Sequence, residues 1–166
     1  MHNTLKMVSF LLFFPVSINT QAEQLSGIDQ LTEQQDIGCS TELRNLADST
    51  LKQNPYRILG YNEQAKDIHL FNALAVTSHR DRDSHVSFYA VKNPNGSCDT
   101  SITESYVLQT TCNDARNEAF SKWDLKGKLN ERTMVLTSKR IIGKEAFLTS
   151  QFTTLCLVTT RQVINN

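Results

Sequence analysis

An excess of charge of one sign is missing from this chain: 17 Lys and Arg balance 17 Asp and Glu. That removes the bulk electrostatic drive toward nucleic acid or an anionic membrane surface. There is one long apolar run, Met7–Ile18, and it falls short of the roughly 20 residues needed to span a bilayer. The glycines number only six and form no Gly-rich phosphate loop. No serine sits in a G-x-S-x-G elbow, and no H-E-x-x-H is present. No context marks Glu104, Asp114, Glu118 or Asp124 as the paired carboxylates of a glycosidase. No two cysteines have the close C-x-x-C spacing of a redox or zinc site. Internal repeats and low-complexity segments are also missing.

What is present begins with the layout of an export signal. Lys6 is the single cation of a short leading segment, Met7–Ile18 is the apolar stretch, and Asn19–Ala22 is a polar exit ending on a small residue. Residues 1–22 are therefore expected to be a cleaved signal peptide. Pro15 and the polar stretch behind it argue against an uncut anchor. Gly38-Cys39 has the dipeptide used in lipidation, but it lies too far beyond the apolar run. Removing residues 1–22 takes away one cation, Lys6, and no acid, so the remaining chain carries a net charge of −1. The segment 23–38 reads as a polar N-terminal arm. Residues 39–166 read as one domain, long enough to bury a core.

All four cysteines, Cys39, Cys98, Cys112 and Cys156, lie beyond the signal. An even count in an exported chain predicts two disulfides. With Ile102–Thr111 as one straight strand, Cys98 and Cys112 stand roughly 40 Å apart at about 3.3 Å per residue. A disulfide needs Cα atoms within about 7 Å. Two patterns remain open: Cys39–Cys98 with Cys112–Cys156, or Cys39–Cys112 with Cys98–Cys156.

Apolar spacing predicts a helix over Thr41–Gln53. Leu43, Leu46, Ala47 and Leu51 share one face, Ser40 is placed to cap it, and Asn54-Pro55 stops it. Ile68–Ser78, Val86–Lys92 and Ile102–Thr111 read as strands of an antiparallel meander, with a turn at Pro94-Asn95-Gly96. Asn95-Gly96-Ser97 also matches a glycosylation sequon, and the turn is the preferred reading. Asn113–Trp123 is a helix or a loop entering a strand. Thr133–Ser138, Ala146–Phe152 and Thr154–Val163 close the chain as Thr-rich strands. The expected fold is α+β: an antiparallel sheet of about six strands, an N-terminal helix on one face and two disulfide staples.

The alternating His79, Asp81, Asp83 and His85 are metal-ligand types that would share one side of an extended segment. Arg80 and Arg82 compete for the same carboxylates, and a solvated hairpin loop is the favoured reading. His69 reads as a sheet histidine. Tyr56, Tyr61 and Trp123 are candidate interface anchors, because aromatics are enriched where proteins meet. No cofactor is implied. The favoured function is a small secreted or periplasmic protein-binding module of the inhibitor or immunity type. Its expected partner is another protein, with no stable membrane insertion once the signal is gone. The alternative is a secreted hydrolase or metal-dependent enzyme using histidines of the 69–85 region.

Overall fold

The computed structural model describes residues 27–29, 38–60 and 70–165. The signal peptide, most of the polar arm, Tyr61 and His69 lie outside the described residues.

Amphipathic spacing produces the first helix, α1 (Ser40–Leu51), whose buried residues are Leu43, Leu46, Ala47 and Leu51. It starts one residue earlier than the sequence suggests. Cys39, not Ser40, is the cap residue, and no side chain caps it. Four strands follow: β1 (Tyr56–Gly60), β2 (Leu70–Ser78), β3 (Asp83–Lys92) and β4 (Cys98–Leu108). Then comes a short helix, α2 (Cys112–Glu118), capped by Thr111, whose hydroxyl accepts from the Asp114 N–H at 3.2 Å. Four more strands complete the chain: β5 (Trp123–Asn130), β6 (Thr133–Ser138), β7 (Lys144–Gln151) and β8 (Leu155–Ile164).

All eight strands belong to one antiparallel sheet, in the order β1-β2-β3-β4-β8-β7-β6-β5. This corrects the expected α+β domain of about six strands. The protein is mostly one large sheet with few short helices. The two strands the sequence hides, β1 and β5, are the two edges. Edge strands are often short, charged or bulged, which discourages pairing with another chain. β1 has five residues, and β5 carries Lys126 and Lys128 with two register shifts.

Both helices lie on the same face. Ala75, Val86, Glu104, Thr160, Ala146 and Leu136 are successive register partners across six strands, so they share that face. Burial follows the same side. One core joins Leu43 and Leu46 of α1 to Phe71, Phe88 and Ile102. A second joins Ala115 of α2 to Phe120, Leu136, Leu148 and Val158. Within the arm, residues 27–29 form a helical turn that inserts Ile28 into the first core.

The disulfides are Cys39–Cys98 and Cys112–Cys156, one of the two patterns left open by spacing. Each ties the start of a helix to the start of the last strand of a four-strand meander. The chain thus runs through helix, four strands and a staple twice. The shift along the chain that carries Cys98 onto Cys156 carries Thr103 onto Arg161. Those two residues are partners in the β4–β8 ladder. A pseudo-two-fold axis therefore passes through the sheet at the Thr103–Arg161 pair. The sequence holds no visible repeat, yet the structure repeats its architecture.

Candidate functional site

The 79–85 segment is not extended. His79 to Arg82 makes a tight turn, closed by the His79 N–H donating to the Arg82 carbonyl at 2.8 Å, and β3 begins at Asp83. This breaks the alternation that would have set four ligand types on one side. Asp81 is exposed and held by the Arg82 guanidinium at 2.9 Å. His79 approaches Glu104 to 3.7 Å, too far for a hydrogen bond. His85 lies on the opposite sheet face from buried Ser84 and Val86. Among the described residues, no three His, Cys, Asp or Glu side chains stand close enough together to hold a metal ion.

On the helix side, a polar cluster has formed around Tyr106. The Arg82 guanidinium stacks over its ring at 4.5 Å. Burial, with Glu104 adding to the effect and Arg82 opposing it, pushes the phenol up to about 12. The buried His79 Nε2, Arg82 Nε and Ser84 Oγ atoms have no hydrogen-bond partner. A cavity of about 700 Å³ lies alongside, lined by the Asp81–Asp83 turn, His85, Ser105, Tyr106, Val107, Leu108 and Leu157, so it also reaches the open face. Ser84 is fully buried, so its hydroxyl is out of reach of a substrate at the surface.

The sheet face turned away from the helices is the larger feature. Register places Leu59, Leu74, Ser87, Thr103, Arg161 and Glu145 in one row across it. The next row is Arg57, Val76, His85, Ser105, Thr159, Phe147 and Val135. The β1–β3 end is apolar and exposed: Leu59 is 75% exposed, and Leu70, Leu74, Val76, Tyr89 and Val91 also reach solvent. The middle is small and hydroxylic, with Ser105 and Thr159 hydrogen-bonded at 3.0 Å.

The β5–β7 end is charged over an apolar floor. Glu145 accepts from Arg161 at 2.7 Å and from Lys126 at 3.1 Å. These two bonds hold its carboxyl below the usual carboxylate range, with Arg161 the larger cause. Arg161 also lies over the Phe147 ring at 5.6 Å.

Of the sequence-derived anchors, Tyr56 is half-buried and its hydroxyl accepts from the Gly27 N–H at 3.1 Å. Trp123 is half-buried edge-to-face against Phe120, with centroids 5.3 Å apart. Both serve the packing of the helix side. The exposed residues that sequence reasoning missed, Leu59, Leu74 and Val76, lie in strands whose two faces are equally apolar. Only pairing reveals which face the helices leave bare. The Asn95 turn stands as read, with the Asn95 Oδ1 accepting from the Ser97 N–H at 3.0 Å.

No family model matches the chain, and no curated protein or solved structure is detectably similar to it. Two disulfides point to an oxidising compartment. Among the described residues, no helix is long and apolar enough to cross a membrane.

Proposed function

We propose that the protein is an exported module that works by contact, docking another protein on the sheet face opposite the helices. The observation that carries this is the cluster of exposed apolar side chains at the β1–β3 end, Leu59, Leu70, Leu74, Val76, Tyr89 and Val91. Such patches are uncommon on a soluble protein's surface unless something covers them. A rigid sheet also suits recognition, because little order has to be gained on binding. Inhibition of an exported enzyme or toxin is the form of this activity that fits a small stapled scaffold.

The test uses the oxidised chain 23–166 as bait in extract of its native source, with crosslinking and mass spectrometry. Leu74→Glu puts a charge at the centre of the patch, while Asp48→Ala alters only the exposed side of α1. One stoichiometric partner should be captured by the wild type and by Asp48→Ala, and crosslinked through β1–β3. Leu74→Glu should weaken capture at least about tenfold, as expected for loss of a buried contact. Capture indifferent to Leu74→Glu, or no partner at all, overturns the reading.

A further inference from the structure

The β5–β7 end of the open face differs chemically from the β1–β3 end. A shallow cavity of about 320 Å³ is lined there by Lys126, Lys128, Leu129, Phe147 and Arg161, with Glu145 at its side. Arg161 and Lys126 thus hold one carboxylate, and Lys128 lines the same cavity. Both Glu145 oxygens are already engaged, Oε2 by Arg161 and Oε1 by Lys126. Lys128 has no ion-pair partner among the described residues. Arg161 presents five N–H donors in a rigid fork, and Glu145 takes one of them. The local net charge is therefore +2, on a chain whose whole charge is balanced. Leu129, 69% exposed, and the Phe147 ring supply an apolar wall beside these donors.

We propose that this corner receives an acidic segment of the docked protein, one carboxylate bridging Arg161 and Lys126 while an adjacent apolar side chain covers Leu129 and Phe147. The proposal rests on the docking reading above and adds the chemistry of the partner's contact. Single exposed ion pairs contribute little. Arg161 and Lys126 side by side against an apolar wall are different, because the wall removes water from the bond and the guanidinium binds carboxylate in a fixed geometry. A basic segment would meet an uncompensated charge of +2, so the corner also selects against wrong partners. The pairing that holds Glu145 ionised keeps the corner's charge constant across ordinary pH.

The test needs no identified partner. The ¹⁵N-labelled oxidised protein is titrated with two end-capped peptides, one alternating glutamate with leucine and the other glutamine with leucine. A single-stranded oligonucleotide serves as the competing anion. The acidic peptide should shift the amides of Lys126, Lys128, Phe147 and Arg161, bind at least about tenfold more tightly than the glutamine peptide, and weaken as salt rises. Glu145→Gln removes the internal competitor and should tighten the acidic peptide several-fold. Arg161→Ala should abolish the difference between the peptides. Equal affinities, shifts elsewhere on the sheet, preference for the oligonucleotide, or no shift at about 1 mM peptide overturns the proposal. If only this corner fails, capture of a partner will still depend on Leu74. If the docking reading fails, that dependence disappears.

Discussion

Phe152 combines two costs at one position. It sits in the turn between β7 and β8 with φ at +53°, and 91% of its surface is exposed. The left-handed region costs a bulky residue about 1–2 kcal/mol. Burial repays none of it, because the ring buries almost nothing. Replacing Phe152 with Gly removes that strain and adds about 0.5–1 kcal/mol of backbone entropy cost. Strain is the larger effect, so Phe152→Gly should raise stability by about 0.5–1 kcal/mol, read as a higher urea midpoint at unchanged slope. An unchanged or lower midpoint would mean the turn relaxes in solution. Strain kept where no folding benefit offsets it is a mark of functional positions. The residues of the charged corner were less legible. Nothing in the sequence around Arg161 distinguishes it from other strand arginines. It becomes central only because β8 pairs with both β4 and β7.

At the level of elements, the disulfides divide the molecule into two stapled units. Cys39–Cys98 secures α1 to β4, and Cys112–Cys156 secures α2 to β8. Each contributes about 3–4 kcal/mol by restricting the unfolded chain. Removing the first with paired Cys→Ala substitutions should accelerate amide exchange in α1 and β1–β4 well beyond that in α2 and β5–β8. Equal acceleration in both would show one cooperative unit instead. Six strands and α1 were legible because each carries a β-branched or apolar pattern that burial imposes. β1 was concealed by its length and by its position directly after a helix stop. β5 was concealed because Asp124, Lys126, Gly127, Lys128 and Asn130 are poor strand formers, and its bulges disrupt the alternation. Pairing with β6 holds it in the sheet despite its composition.

For the whole molecule, the repeated architecture escaped sequence reading because its two halves fill the same positions with different residues. Across the axis, the pair Phe88–Ile102 corresponds to Ala146–Thr160, and Ala90–Thr100 to Leu148–Val158, so each half sets its large side chains at different positions. The connections differ in length as well: residues 61–69 separate β1 from β2, whereas only two residues, Glu131 and Arg132, join β5 to β6. Packing preserves volume and apolar character, not identity, so similarity of form outlasts similarity of sequence. The single continuous sheet places the apolar end and the charged end of the open face side by side in one sheet. Under the docking proposal, a partner would have to match both at once.

The pseudo-two-fold axis has a consequence for chain order. Ile164 is paired with Thr100, two residues from Cys98, which is bonded to Cys39 at the head of α1. Leu108 is paired with Cys156, which is bonded to Cys112 at the head of α2. The exit of each half therefore lies beside the entrance of the other, and the native link 109–111 spans one of these two equivalent gaps. A circular permutant that opens the chain within 109–111 and joins residue 165 to residue 38 by a short flexible linker should fold, less stably because it lacks Ile28 from the first core. It should form the same two disulfides, as peptide mapping would read. Mispaired cysteines would show that synthesis order, and not the sheet, directs the pairing. In such a protein, beginning and end are a matter of where the cut falls on a ring of two units.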